Sequence, residues 1–322
     1  MTASNGDAIR VSGVGKQFDL IGAVHDVDFA VPTGAVTALV GPTGAGKSTL
    51  LRLVTGLQQP SSGAIEIGIP GRGPRSIGAV LNPRGLHPAR TVADHLRCYA
   101  PLACASRHRV DTVLAETGLA PVADTVIAGL PPGQATRLAL ATALLADPPL
   151  LVLDDPFTDA EPFERGWLHE LLRRHVARGG SALVSADRLA DVVSSADQLV
   201  VLSEGTVVWQ GSPAKLRRGH PDRLVVAAAP SIALATALAA RGFTDAVMRP
   251  DGRLAVAEAD EATIRAVAES AQVRIASIVA DPIHPDRVLA SLTKPRRHRH
   301  TRQAPQVPAA FVPAPTSAGM PR

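Results

Sequence analysis

Polar and apolar positions alternate over residues 8–18 and again over 27–31, where Val27, Phe29 and Val31 fall on one face and Asp26, Asp28 and Ala30 on the other. A period of two predicts strands with one covered face, and GAIEIG at 63–68 predicts a further short strand of the same layer. Val36, Ala38, Leu39 and Val40 form a short apolar run, after which Leu50, Leu53, Val54 and Leu57 recur at helical spacing. The pattern therefore predicts strand, loop, helix across 36–57. Over 82–130 the character changes: Pro83, Pro88 and Pro101 punctuate helical stretches at 92–99 and 110–118. An inserted helical subdomain is expected there, over about residues 82–149. A helix and then an apolar strand at 150–153 follow, the strand ending in Asp154-Asp155, and SALVSAD at 181–187 predicts another strand. Residues 222–293 read as strand 224–228, helix 232–241, strands 246–249 and 254–257, helix 261–271 and strand 273–279. That order predicts a small ferredoxin-like α/β unit.

The loop between the apolar strand and the helix carries the strongest chemistry. Gly41, Pro42, Thr43, Gly44, Ala45, Gly46, Lys47, Ser48 and Thr49 contain the pattern G-x-x-x-x-G-K-[ST], a P-loop, in the strand-before, helix-after context that the pattern requires. Gly44 and Gly46 allow the backbone to curl until its N–H groups converge on phosphate oxygens, with the positive end of the helix behind them. Lys47 adds a point charge for the β- and γ-phosphates, and Ser48 is placed to give its hydroxyl to Mg2+. Asp154, delivered by an apolar strand, is the candidate second magnesium residue, acting through water. The expected cofactors are thus ATP and Mg2+. Phe18, ahead of the loop, is a candidate to stack on a purine; the alternative is a core phenylalanine.

Composition bounds the partners. The 322 residues, 46% hydrophobic, suffice for two domains with a proper core, and aromatics at 3% leave that core to Ala, Val and Leu. The formal net charge of +4 is a property of the tail: residues 294–322 hold Lys294, Arg296, Arg297, Arg299, Arg302 and Arg322 and no acid, so the first 293 residues carry −2. A nearly neutral folded part argues against a nucleic-acid-binding surface. The tail, rich in Pro and base, is expected to be disordered, either solvated or drawn to anionic lipid. Cys98 and Cys104, with no metal-ligand spacing, read as reduced cytosolic thiols. The 17-residue uncharged run at 224–240, divided by Pro230-Ser231, is too short and too weakly apolar to span a bilayer, so a membrane role must come through a partner.

From about Ile9 to Pro213 the chain resembles the nucleotide-binding subunit of an ATP-binding-cassette (ABC) transporter. The resemblance rests on the P-loop, the strand-borne Asp154, a GxxGQ-like remnant at Gly133-Gln134 before a helix, and the closing VLSEGTVVWQGSP. It implies an α/β P-loop NTPase of the ABC type with an N-terminal β layer and a helical subdomain. It gives Phe18 the adenine-stacking role and places His87-Pro88 where the family faces its membrane partner. It also implies a dimer of nucleotide-binding subunits, identical or not, on the cytoplasmic face of the membrane, and a separate permease chain. Residues 221–293 resemble the accessory domain of an exporter subclass, and a boundary near Gly219-His220-Pro221 predicts that residues 1–220 fold alone.

Four motifs depart from the family pattern. Its glutamine, a further magnesium contact, falls at Asn82; within the signature loop Leu130, Pro131, Pro132, Gly133 and Gln134, prolines replace the serine and first glycine. The glutamate after the strand acid is Asp155, a weak candidate for the general base, and the switch histidine falls at Ala186. The loop at 158–161 is only loosely similar. The expectation is nucleotide binding with slow hydrolysis, and the alternative is a non-hydrolysing, ATP-responsive regulatory subunit. A soluble ABC ATPase acting on DNA or ribosomes is disfavoured by the missing heptad insertion, the lack of a second P-loop and the neutral folded part.

Overall fold

The structure is a computed structural model, and it describes residues 6–68, 77–158, 160–219, 222–281 and 284–293. The basic tail lies outside the described residues.

Two long strands open the chain, β1 (Asp7–Phe18) and β2 (Ile21–Pro32), followed by β3 (Val36–Val40), helix α1 (Lys47–Val54) and strands β4 (Ser62–Ile67) and β5 (Ile77–Val80). Helices α2 (Val92–Tyr99), α3 (Arg107–Glu116) and α4 (Pro132–Leu144) come next, then β6 (Leu150–Leu153), α5 (Pro162–Ala177), β7 (Ser181–Ala186), β8 (Gln198–Ser203), β9 (Thr206–Gly211) and α6 (Pro213–Gly219). The remainder is β10 (Arg223–Ala229), α7 (Ser231–Ala240), β11 (Ala246–Met248), β12 (Leu254–Ala257), α8 (Glu261–Ser270), β13 (Arg274–Asp281) and α9 (Pro285–Leu292).

The apolar strands build a six-stranded sheet in the order β5-β6-β7-β3-β8-β9, parallel except for β9. Every residue of β3, β6 and β7 is buried, as expected of central strands covered on both faces. One face packs Ala38, Val40, Leu151, Leu153 and Val184 against Leu140 of α4, Leu168 and Leu172 of α5, and Val288 and Leu289 of α9. The other packs Leu39, Val152, Leu183 and Val200 against Leu50, Leu51 and Val54 of α1 and against Val11, Val14, Val27 and Phe29. Those last residues are the covered side of an antiparallel sheet, β2-β1-β4. The alternating layer of the sequence is therefore a lid on the α1 side, with β2 starting at Ile21, earlier than the pattern implied.

Helices α2, α3 and α4 share a separate core of Val92, Leu96, Val110, Val113, Leu119, Ile127 and Leu138. Helix α3 begins at Arg107, three residues before its first buried apolar position, because the Ser106 hydroxyl accepts from Arg109 N and caps the first turn. Strands β10 to β13 form an antiparallel sheet in the order β11-β12-β10-β13, the ferredoxin-like arrangement, cored by Val226, Leu234, Leu238, Val256, Ile264 and Val267. The uncharged run at 224–240 is divided between β10 and α7, and among the described residues no helix is long and apolar enough to cross a membrane. Cys98 and Cys104 are free and exposed.

Helix α9 is the departure from the expected organisation. It follows the four-stranded sheet in sequence, but Val288 and Leu289 are buried in the main core beside Leu189 and Val192. A chain ending at residue 220 would leave that part of the core uncovered.

Candidate functional site

The turn from β3 into α1 sets the site. Gly44 and Gly46 have φ of 83° and 96°, left-handed values that glycine adopts without strain. A side chain at Gly46 would also meet the Ala23 carbonyl oxygen at 2.6 Å, so β2 fixes the loop from the other side. Helix α1 starts at Lys47 directly after this turn with Gly46 at its N-cap and no side-chain cap, and a helix leaves its first N–H groups without intrahelical partners at that end.

A cavity of about 290 Å³ opens there, lined by Ala23, Thr43, Gly44, Gly46, Lys47, Ser48, Thr49, Asn82, Asp154, Asp155 and Asp187. Residues from five separate stretches of the sequence therefore meet. Gly41, Pro42 and Ala45 form the floor of the loop: Ala45 N donates to Pro42 O, and the Gly41 and Pro42 carbonyls accept from Lys47 Nζ at 2.7 and 2.9 Å.

Ser48 Oγ donates to Asp154 Oδ1 at 3.0 Å, and Ser185 Oγ, from the end of β7, donates to the same oxygen at 2.8 Å. Asp154 Oδ2 is buried without a hydrogen-bond partner. A buried carboxylate oxygen left open beside a serine hydroxyl and the Asn82 amide is an all-oxygen donor set of the kind Mg2+ takes. Among the described residues no group of three His, Cys, Asp or Glu side chains is placed to hold a metal. Asn82 Nδ2 donates to the Asp154 carbonyl at 3.3 Å, tying the two positions together.

Asp155 sits at φ 47° with its N–H on Ser185 Oγ at 2.8 Å. Burial pushes its carboxyl above the ordinary value; a hydrogen bond from Thr158 opposes this, and the neighbouring Asp187 charge adds to it. The Thr158 hydroxyl donates to Asp155 Oδ2, so one oxygen of the candidate base is already engaged.

Ala186 does not face the cavity. Its side chain is fully buried in the core and only its carbonyl takes part, accepting from Gly41 N at 3.3 Å. The next residue, Asp187, fills the place instead: Oδ1 lies 2.6 Å from Lys47 Nζ and Oδ2 accepts from Thr43 Oγ1 at 2.7 Å. Burial alone would raise the Asp187 carboxyl, but hydrogen bonds from Lys47 and Thr43 and the Lys47 charge hold it below its ordinary value.

Phe18 is not a core residue. It is 40% exposed at the end of β1, with Lys16 Nζ 5.1 Å from its ring centroid. It pairs with Ile21, two residues before the cavity-lining Ala23, but does not itself line the cavity. The signature loop is likewise apart from the cavity. Pro131 caps α4 and Pro132 occupies its first turn, where a missing N–H costs nothing. Behind it Arg137 is buried, paired with Glu164 at 2.7 Å and stacked on Trp167 at 4.5 Å.

Asp187 and Ser185 were not singled out by sequence reasoning. The available signal was small: a serine and an acid in polar positions at the end of an otherwise apolar strand, SALVSAD.

Fold and loop together define a P-loop nucleotide-binding protein. A family profile described as ABC transporter matches residues 24–158. The sulfate/thiosulfate import ATP-binding protein CysA of Synechococcus elongatus is 39% identical over 224 residues, covering 65% of this chain and 63% of that protein. The Nod factor export ATP-binding protein I of Rhizobium johnstonii is 34% identical over 216 residues, covering 64% of this chain and 70% of that protein. Among solved structures, an ATP-binding subunit of an ABC transporter superposes with a TM-score of 0.60 at 28% identity, covering 66% of this chain and 92% of its own. A bacterial Atm1-family ABC exporter with ATP bound gives 0.59 at 25% identity, covering 67% and 40%. The chain belongs to the ABC transporter family, among its ATP-binding subunits. It spans less than two thirds of the CysA relative's length.

Proposed function

We propose that this chain binds MgATP, pairs with a second nucleotide-binding subunit, and powers or gates a separate membrane permease from the cytoplasmic face of the membrane, turning ATP over slowly. The observation that carries this reading is the convergence of Lys47, Ser48 and the open Asp154 Oδ2 in one cavity at the start of α1. In it the loop N–H groups and Lys47 would take the phosphates, while Ser48 and Asp154, supported by Asn82, would hold the magnesium. Bound magnesium would supply charge neutralisation between the β- and γ-phosphates. Phe18, exposed at the end of β1, is proposed to carry the adenine.

Organisation follows the same reading: a nucleotide-binding unit over residues 1–220 with its helical part over 82–149, a small unit over 221–293 and a basic tail over 294–322. The small C-terminal sheet supports export. The relatives' names carry both directions, sulfate/thiosulfate import for one and Nod factor export for the other. Co-purification with a permease, reconstitution in vesicles and the side on which cargo accumulates would test direction.

A second reading, an ATP-responsive subunit with negligible turnover, is favoured by the engaged Asp155 and the buried Ala186. ATP turnover with and without the permease separates the two. Stimulation by the permease supports the driving subunit, and tight binding with no turnover in either state supports the regulatory one.

A further inference from the structure

An ammonium group has three protons to donate. Lys47 spends all three inside the protein, on Gly41 O at 2.7 Å, Pro42 O at 2.9 Å and Asp187 Oδ1 at 2.6 Å. Lys47 is also the one cation among the residues that line the cavity, against the carboxylates of Asp154, Asp155 and Asp187. A polyphosphate reaching Lys47 must therefore displace one of three acceptors. Two are neutral carbonyls of the loop. The third is an anion standing where another anion has to go, and its second oxygen is held by Thr43 of the same loop.

The segment carrying Asp187 is held from outside the nucleotide-binding unit as well. Arg188 Nε donates to Asp286 Oδ2 at 3.1 Å and Ala190 N donates to Asp286 Oδ1 at 3.2 Å, so one carboxylate from the first turn of α9 caps the short helical turn that follows Asp187. Helix α9 is anchored in turn: Val288 and Leu289 are buried in the main core, and Ser203 Oγ donates to Thr293 O at 3.3 Å. A continuous set of contacts thus runs from α9 through Asp286 and residues 187–190 to Lys47.

We propose that Asp187 is an internal competitor for the nucleotide phosphates, and that α9, through Asp286, holds it in place, so the C-terminal helix sets nucleotide affinity. The inference rests on the nucleotide-binding reading above. It gives the C-terminal residues a concrete action on the site: whatever shifts α9 loosens residues 187–190 and frees Lys47.

The test is equilibrium titration of the full-length chain with a fluorescent ATP analogue and Mg2+, comparing the parent with Asp187→Asn, Asp286→Asn, Arg188→Gln and the Asp187→Asn/Asp286→Asn pair. Asp187→Asn should tighten binding roughly fivefold, the affinity equivalent of one partly exposed ion pair. Asp286→Asn and Arg188→Gln should tighten it by smaller factors. The double variant should bind no more tightly than Asp187→Asn alone, because the two acids act in series. Arg188 is half exposed and outside the cavity, so its variant reports on the α9 contact even where Asp286→Asn perturbs the helix. Equal or weaker binding by Asp187→Asn overturns the competition. Tightening by Asp187→Asn with both Asp286→Asn and Arg188→Gln unchanged overturns the role of α9. Loss of Lys47-dependent binding in the parent and every variant would instead overturn the nucleotide-binding reading itself.

Discussion

The two halves of the site differ in what they retain. On the side proposed to take the phosphates, the glycine turn, Lys47, Ser48 and Asp154 supply every group that the proposed chemistry asks for, and Ser185 Oγ bonds Asp154 from the neighbouring strand. On the hydrolytic side the scaffold is present but the side chains are not. Ala186 ends β7 with only a carbonyl to offer, Asp155 is one methylene shorter than the family's glutamate and is bonded to Thr158, and Pro131-Pro132 start α4 without hydroxyl or N–H. Backbone geometry and reactive groups are separable, and the fold holds the first without the second. A helix tolerates proline in its first turn and a buried strand tolerates alanine, so these residues suit the fold while lacking the groups that the proposed reaction would aim at a γ-phosphate.

The largest effect should come from restoring the depleted half. Combining Asp155→Glu, Pro131→Ser and Pro132→Gly, with the core residue Ala186 left unchanged, should raise turnover on the order of 10²-fold, since one preorganised donor can be worth about 2.7–4 kcal/mol. A steady-state phosphate assay checks this, and an unchanged rate in a folded variant would mean that these three positions are not what limits the reaction. On the intact half, Lys47→Ala should weaken binding of an ATP analogue roughly 10- to 100-fold, the equivalent of a charge-assisted hydrogen bond of about 1.5–3 kcal/mol. Unaltered affinity would remove the basis for the contrast.

Leu289→Ala should destabilise the nucleotide-binding unit by about 2 kcal/mol, because this α9 side chain is buried in the main core. Denaturant unfolding followed at Trp167, which packs against that core, reads the effect, and a change confined to the four-stranded sheet would contradict the placement of α9.

The smallest effect concerns pH. Burial lowers the imidazoles of His95, His169 and His175 below the ordinary 6.5. The folded chain therefore keeps them neutral where the unfolded chain takes up protons. Their contribution to stability is complete above about pH 6.5 and is lost as pH falls below it. Tm should be level near neutrality and decline from about pH 6.5 downward; a rise over that interval would contradict the sign.

What was legible follows from distance along the chain. The P-loop is contiguous, so its chemistry requires one short pattern, and the strand that delivers Asp154 announces itself by its apolar run. Asp187 reaches Thr43 across 144 positions, and α9 meets residues 188–190 from almost a hundred positions away. No local periodicity encodes such contacts. Helix α9 has apolar Val288, Leu289 and Leu292 on one side, which says that the helix packs but not against which core. The early start of α3 was available in Ser106, a capping residue that apolar spacing alone passes over.

The central claim, an intact binding half joined to a depleted hydrolytic half, is tested most directly by phosphate release from the purified, unmodified chain under saturating MgATP, with Lys47→Ala as the control for contaminating activity. The account predicts saturable nucleotide binding with a turnover far below that of an ABC subunit carrying the glutamate, histidine and serine. Turnover at the rate of such an intact subunit, abolished by Lys47→Ala, would contradict it.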